Sequence, residues 1–283
     1  MNKSEMSSPP AESEFRPRSD RAFFSGLGVL GGVYIFLVVA MLLADGSYAF
    51  FGRDKDIEGH PIAAALANPK IQYAIALSLI SCTITTILSL WVSVPIGYVM
   101  SRFEFRGKMF LDALLDIPIV LPPLVVGLCL LIMFRLPPFA WTSEWVVYEI
   151  PSVILAQFMV ACAFAVRTMR ATFDQIPLRQ EQVAMTLGCS RGQAFWNVVL
   201  PRAGRGMVAA ATLAWARSLG EFGPILIFSS STRMVTEVLP TSVYLEIQAG
   251  HIHAAAAVSM IMVALAIVVL VIARAFGLRQ AFY

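Results

Sequence analysis

The sequence predicts an all-α integral membrane protein with six membrane-spanning helices and a short helix–turn–helix between the fourth and the fifth. Hydrophobic residues make up 58% of its 283 residues and charged residues only 14%, and the mean hydropathy is +0.74. A soluble domain of this size cannot hide so much apolar surface in one core. Six apolar segments also recur along the chain, each about 20 residues or longer, the length with which a helix crosses ~30 Å of hydrocarbon.

The N-terminal part of the chain predicts a tail followed by an anchor. Residues 1–21 are rich in Ser, Pro and charge and lack apolar periodicity, so we expect a disordered tail there. The apolar run 22–44 is longer than the ~7–15 residues of a signal-peptide core, so we expect it to remain as the first span. The other five spans are expected at 73–101, 111–134, 151–170, 207–228 and 254–273.

The basic residues predict how the spans are oriented. Fifteen of the 21 Lys and Arg residues lie in the N-terminal tail, in 102–108, in 167–205 or at the C-terminus, and five lie in the alternate connections. Because cytoplasmic loops of membrane proteins carry an excess of Lys and Arg, both termini and the helix–turn–helix are expected in the cytoplasm.

Several function classes lack their residues in this chain. The connections 45–70, 135–150 and 229–253 are too short for a ligand-binding domain, which typically needs ~100 residues. A GxxxxGK[ST] phosphate loop, a GxSxG elbow and an HExxH pattern are all absent from the sequence. His251 and His253 form only a weak metal pattern, and no metal or cofactor is expected. If the protein takes part in an energy-driven process, another subunit must supply the energy.

Helix start and stop signals define the connection between the fourth and fifth spans. Pro177 opens a first short helix, and Gly188 ends it because glycine most easily adopts the left-handed cap. Ser190 and Gln193 form a capping-box pattern for a second helix. Pro201 is expected to end that second helix.

The second helix, Gly192–Leu200, is amphipathic. Its apolar side is expected to contain Phe195, Val198 and Val199, with Trp196 flanking it. Such a pair of helices lies in the membrane interface in some proteins. In others the exposed apolar face fits a groove on a cytoplasmic partner. Composition alone leaves both interpretations open.

This connection resembles the EAA loop of ATP-binding cassette importer permeases, with the pattern EAA, three residues, Gly, nine residues, Ile-x-Leu-Pro. Gln182 replaces the acid of the motif and Val183 one alanine, but Glu181 supplies an acid one position earlier. The matching positions are Ala184, Gly188, Val198, Leu200 and Pro201. The resemblance implies that residues 177–201 are a coupling helix pair seated in a cleft of an ATPase subunit. The implied coupling residues are Glu181, Gln182, Ala184, Gly188, Phe195, Leu200 and Pro201.

The resemblance extends over residues 71–275, the expected importer permease domain. The stretches 101–131 and 216–228 are similar to the molybdate, tungstate and sulfate branch of these permeases. The family implies transport of molybdate or tungstate first, with sulfate or thiosulfate second and iron, thiamine or another small solute as further alternatives. It also implies an extracytoplasmic binding protein, ATP-Mg in a partner subunit rather than in this chain, and a bacterial or archaeal inner membrane.

The family also implies how many copies assemble. A homodimer is expected because the chain has one EAA loop whereas an ATPase dimer offers two clefts. Sulfate relatives that form heterodimers leave the alternative open.

Two clusters of residues are candidates for the translocation path or its gate. Arg217 and Glu221 share a helical face in the fifth span, where an unpaired Arg costs ~2.5–3.5 kcal/mol. The pair either fixes helix packing or borders the path. The nearby glycines and prolines leave backbone groups without intrahelical hydrogen bonds. Because lipid does not satisfy these groups, a position facing a cavity is favoured. The candidates are Arg217, Glu221, Gly223, Pro118, Pro122 and Pro123.

Three other classes of function fit the sequence less well than an importer permease. Six spans with a charged pair would suit a channel, but a channel leaves the cytoplasmic loop unexplained. A secondary transporter would show paired inverted repeats with matching interrupted helices, and no clear repeat is visible. An intramembrane enzyme needs a nucleophile–base or metal constellation, and the sequence shows none.

Overall fold

A computed structural model describes residues 21–51 and 61–279, and these are helices and short connections without a strand. The chain divides into a unit that ends at Ala44 and a larger unit that begins at Asp45. The expected N-terminal tail lies outside the described residues, apart from Arg21. The α-helices are α1 (Arg21–Phe51), α2 (Pro61–Ala67), α3 (Pro69–Arg102), α4 (Lys108–Val120), α5 (Pro123–Met133), α6 (Ser143–Val146), α7 (Ile150–Gln175), α8 (Leu178–Thr186), α9 (Arg191–Ala194), α10 (Leu200–Arg202), α11 (Gly204–Leu219), α12 (Gly223–Phe228), α13 (Leu239–Gln248) and α14 (Ile252–Arg279).

Among residues 21–51 and 61–279, four helices are long and apolar enough to cross a membrane, namely α1, α3, α7 and α14. They coincide with the first, second, fourth and sixth predicted spans. Helix α3 begins after Asn68, whose side chain accepts a hydrogen bond from the Lys70 amide, and Pro69 occupies its first turn. Helix α7 ends at Gln175 because Pro177 holds Ile176 in an extended conformation.

The third predicted span, expected as one helix over 111–134, is broken. Helices α4 and α5 are bent by 111° relative to each other. The break lies at Leu121 and Pro122, whose ψ angles are 139° and 133°. Each precedes a proline, and the proline ring excludes the helical conformation from the residue before it. This pair of helices is therefore a broken span or a re-entrant loop.

The fifth predicted span, expected over 207–228, is also two helices. Helix α11 ends at Leu219, with Gly220 as its C-cap, and α12 begins at Gly223. Pro224 lies in the first turn of α12, where its missing N–H costs no hydrogen bond. The intervening backbone carries Glu221, one of the predicted path residues.

Helices α3, α7 and α11 form the centre of the larger unit through small and polar side chains. The face of α3 toward this centre is buried and rich in Ser and Thr. A Cβ on Gly97 would lie 2.8 Å from the Cβ of Met169, so α3 and α7 approach closely. Gln157 of α7 donates a hydrogen bond to the carbonyl of Ser218 (3.2 Å) and accepts one from Thr85 (3.2 Å), which joins all three helices.

Helix α4 is held to α7 by two ion pairs at one end. Arg167 pairs with Asp116, and Arg170 pairs with Asp112. The partners of the two pairs are 51 and 58 positions apart in sequence. Their pairing was not predicted.

Candidate functional site: the loop between α7 and α11

The first half of this loop matches the prediction from helix signals. Helix α8 starts after Pro177 and is followed by Gly188 at φ 95°, the left-handed conformation expected there. Nothing lies within 4 Å of the position that a Cβ on Gly188 would occupy. The backbone conformation, rather than space, is therefore what requires glycine at this position.

The second half begins as predicted. The hydroxyl of Ser190 accepts a hydrogen bond from the Gln193 amide (3.3 Å), and the Gln193 side chain accepts one from the Ser190 amide (2.8 Å). The capping box that opens α9 is thereby confirmed.

The predicted stop at Pro201 was wrong. Helix α9 continues as a π-helical turn, Phe195–Val199, and then as α10, which includes Pro201 and ends at Arg202. The Leu200 amide bonds to the carbonyl of Phe195, five residues back. The wider π turn changes which carbonyls face Pro201, so the proline is accommodated where an ideal α-helix would clash.

The apolar face predicted for the second helix points into the protein rather than outward. Val199 is fully buried, Phe195 and Val198 are half-buried, and only Trp196 is exposed. The outward apolar surface of the loop instead includes Val183, Leu187 and Trp196, which are 51%, 81% and 67% exposed. We call these three residues the outer patch. The sequence prediction missed Val183 and Leu187 because they lie in α8 and at its C-cap, whereas the apolar side was predicted for the second helix.

The expected coupling residues are divided between the two sides of the loop. Gln182, Gly188 and Pro201 are exposed, Leu200 is half-buried, and Ala184 is buried. An exposed set thus lies beside the outer patch, where a partner can reach it. A buried set attaches the loop to the rest of the chain.

Glu181 belongs to the buried set. Its side chain is 4% exposed, and its carboxylate accepts a hydrogen bond of 2.5 Å from the Tyr98 hydroxyl of α3. Arg102 lies at the end of the same helix, with its Nε 3.5 Å from the other carboxylate oxygen. Its Nη2 donates to the carbonyl of Ile176 (2.8 Å). Neither Tyr98 nor Arg102 was predicted as a partner of the loop.

An aromatic cluster surrounds this carboxylate. The ring of Tyr98 contacts Phe103, Phe173 and Phe195 edge-on, with centroid distances of 6.1, 5.7 and 4.7 Å. Phe103 follows α3, Phe173 lies on α7, and Phe195 lies in the π turn. Tyr98 therefore joins the end of α3 to α7 and to the second half of the loop through ring contacts, and to the first half through its hydroxyl.

The predicted path residues Arg217 and Glu221 meet at the break between α11 and α12. Arg217 Nη1 lies 2.7 Å from Glu221 Oε2. The carboxylate is buried, whereas the Arg217 side chain is 31% exposed and lies over the ring of Phe164 at 5.7 Å. The guanidinium therefore retains an accessible face while it compensates the buried charge.

The structure also brings together two of the predicted glycine and proline positions, Gly223 and Pro123. A Cβ on Gly223 would lie 2.8 Å from the Cβ of Pro123, and a Cβ on Gly127 would lie 2.7 Å from the Cα of Pro224. The two breaks thus pack against each other. Pro122 lies at the α4–α5 break, and Pro118 is half-buried within α4, away from this contact.

A second charged cluster lies at the opposite end of α3 from the loop. Arg233 bonds to Glu237 (3.3 Å) and to Glu246 (2.9 Å), and His251 lies 3.1 Å from the other oxygen of Glu246. Ser242 donates to Glu237 at 2.6 Å. The sequence prediction missed this cluster because its members become neighbours only when α13 folds. Within 21–51 and 61–279, no group of three or more His, Cys, Asp and Glu side chains could hold a metal ion.

Long apolar helices, broken helices that pack at their breaks and an amphipathic helix–turn–helix at one end together define a multi-pass membrane protein of the transport class. Residues 93–281 match the family described as "Binding-protein-dependent transport system inner membrane component". The chain belongs to this family.

Three relatives align with similar shares of the chain. It is 34% identical over 204 residues to the molybdate/tungstate transport system permease protein WtpB of Pyrococcus furiosus, covering 72% of this chain and 75% of that protein. It is 35% identical to the molybdenum transport system permease protein ModB of Mycobacterium tuberculosis (65% and 71% covered). It is 30% identical to the sulfate transport system permease protein CysT of Escherichia coli (68% and 71% covered).

Solved structures share the fold. A bacterial ABC transporter involved in the import of the acidic polysaccharide alginate aligns with a TM-score of 0.70 at 15% identity, covering 92% of this chain and 96% of that one. At this identity the likeness shows the fold alone.

Proposed function

We propose that this chain is the membrane subunit of an ATP-binding cassette importer and forms the path of an oxyanion. Molybdate or tungstate is the first candidate, and sulfate or thiosulfate is the second. The observation that carries the proposal is the loop at Gly188, which presents an outer patch of three apolar side chains in a chain of this family. Relatives named for molybdate/tungstate and for molybdenum transport support the choice of oxyanion.

The chain crosses the membrane six times in this proposal. The four long helices supply four crossings, and the broken pairs α4–α5 and α11–α12 supply one each. Helix α11 alone has 16 residues, which is about 24 Å, so the crossing is completed only with α12. The excess of basic residues at the loop end supports a cytoplasmic location for that end and for both termini.

A separate ATPase subunit drives transport by docking on the loop. Val183, Leu187 and Trp196 supply the apolar contact surface, with Gln182 beside them, and a short amphipathic helix commonly binds in a groove in this manner. This chain binds neither ATP nor a cofactor of its own. Two copies pair so that both clefts of an ATPase dimer are filled, and an extracytoplasmic binding protein delivers the anion to the opposite end.

The anion passes the break between α11 and α12. Arg217 is the only basic residue in the fifth predicted span, and its side chain keeps an exposed face beside the Glu221 carboxylate. A guanidinium matches the geometry of an oxyanion, whereas Glu221 limits how tightly the anion is held. The close contact of the two breaks at Gly223 and Pro123 makes this region the candidate gate.

ATP hydrolysis in vesicles tests the proposal. The permease, co-expressed with its ATPase subunit, is reconstituted, and binding protein loaded with molybdate, tungstate or sulfate is added. Molybdate or tungstate is expected to stimulate hydrolysis and uptake more strongly than sulfate. Stimulation by sulfate alone would reassign the substrate, and uptake at full rate without the ATPase would overturn the importer in favour of a channel.

A further inference from the structure

Glu181, the acid that stands one position before the motif's acidic position, is turned away from any docking partner. The residue is 3% exposed, and its oxygens contact Tyr98 at 2.5 Å and Arg102 at 3.5 Å. The neighbouring Gln182 is exposed. A buried carboxylate is tolerated only when paired and hydrogen-bonded, so this acid is committed to contacts within the chain.

We infer that Glu181 is a positioning residue that clamps the loop to α3, and that α3 carries displacement of the loop to the opposite end of the molecule. This inference rests on the proposed function, because it assumes that an ATPase moves the loop. Arg102 strengthens the clamp by binding the carbonyl of Ile176, the last residue before the loop. Tyr98 adds ring contacts to the π turn through Phe195.

The far end of α3 is attached to a second segment. The Tyr73 hydroxyl donates to the carbonyl of Val235 (2.9 Å), and the Leu239 amide donates to the Ser78 hydroxyl (2.8 Å). With 34 residues, α3 is about 50 Å long. One continuous helix, which contains Pro95, is therefore bonded to the loop at one end and to residues 232–239 at the other.

The attached segment has a backbone suited to change. Met234 within this segment, and Ser230 and Ser231 directly before it, adopt φ angles of 63°, 69° and 47°, which non-glycine residues rarely adopt. A segment strained in this way is held by its surroundings, and two of the bonds that hold it come from α3. Displacement of α3 along its axis would therefore act directly on this segment.

Two variants test the clamp in the reconstituted complex of permease, ATPase and binding protein. Tyr98→Phe removes only the hydroxyl, and Glu181→Gln keeps the shape but removes the charge. Both are expected to co-purify with the ATPase as wild type does, while uptake per ATP hydrolysed falls about ten-fold, the size expected for one bond to a charged group. The double variant should be no worse than either single variant, because both changes break the same contact.

A label at the far end measures transmission itself. Met234 is 47% exposed, so Met234→Cys in a background with alanine at Cys129, Cys162 and Cys189 accepts a fluorophore while Cys82 stays buried. Addition of ATP and loaded binding protein should change the fluorescence, and Tyr98→Phe should abolish that change. Thr83→Val removes an exposed hydroxyl of α3 that bonds within its own helix; it serves as the matched control and should keep the fluorescence response.

Three outcomes would overturn the clamp. One is a wild-type fluorescence response and wild-type uptake per ATP in Tyr98→Phe. Another is loss of ATPase co-purification in Glu181→Gln, which would show that the carboxylate docks. The third is equal loss of thermal stability and of all activities in both variants, which would reduce the contact to packing. Failure of the unmodified chain to co-purify with the ATPase would instead refute the proposed function.

Discussion

Gly223 and Pro123 touch where the two broken helices meet, so closely that a Cβ on Gly223 would lie 2.8 Å from the Cβ of Pro123. The same Cβ would lie 3.1 Å from the Leu124 amide nitrogen. These neighbours are a proline ring and backbone, neither of which can rotate away. The contact therefore requires a residue without a side chain, and it joins the two elements that we propose as the gate.

Gly223→Ala is expected to lower stability by ~1–3 kcal/mol, because the added methyl group overpacks a contact that cannot relax. Thermal unfolding of the purified protein in detergent measures this, and uptake in vesicles should fall with it. Gly220→Ala is the matched control, since its Cβ would meet only the Ala216 carbonyl at 3.8 Å. Equal stability of the two variants would contradict the predicted close contact.

Much of the fold follows from local patterns in the sequence. The long apolar runs predicted α1, α3, α7 and α14 because a helix is the structure in which such a run satisfies its backbone in lipid. The Ser190 capping box and the left-handed Gly188 were also predicted correctly, since each depends on residues no more than a few positions apart. Local chemistry was sufficient in these places.

The errors lie where distant contacts decide the outcome. Three prolines indicated freed backbone groups in the third span, but no local pattern indicated that α5 packs against α12 beside the 111° bend. The amphipathic pattern of the second loop helix was recognised, but its apolar side was assigned to a partner rather than to Tyr98 and Phe173. Tyr98 and Glu181 are 83 residues apart, and no local signal links them.

Gly188→Val is expected to abolish transport and reduce co-purification of the ATPase without preventing membrane insertion. A β-branched side chain at φ 95° costs roughly 1–3 kcal/mol of backbone strain, so the turn between α8 and α9 would shift and disrupt the outer patch. Co-purification from membranes provides the measurement.

Gly192→Val is the control for this variant. It adds the same side chain to the same loop, and the Cβ position of Gly192 is equally open, but its backbone is helical. Normal uptake in Gly188→Val, or equal loss in both variants, would contradict the role of the turn in docking.

Arg217→Ala separates a packing role from a path role for the pair with Glu221. The change leaves a carboxylate that is 2% exposed without its cation, at a cost of up to ~3 kcal/mol. Arg217→Met combined with Glu221→Gln removes both charges and should restore thermal stability. If the guanidinium lines the path, uptake stays low in this double variant. Recovery of uptake together with stability would assign the pair to packing alone.

Arg233 is expected to hold the far end of the molecule together. Arg233→Ala would unpair Glu237, which is fully buried, and Glu246, which is 7% exposed. Loss of one cation that serves two buried carboxylates should cost ~3 kcal/mol or more and release residues 232–239. Thermal unfolding and stimulation by the binding protein are therefore both expected to decrease.

Arg233→Lys is the informative comparison, because it keeps the charge but loses the planar fork that reaches both acids at once. Its stability should lie between those of wild type and Arg233→Ala. Since both carboxylates are buried, added salt should do little to alter this order. Equal stability of all three proteins would show that the two acids find other partners.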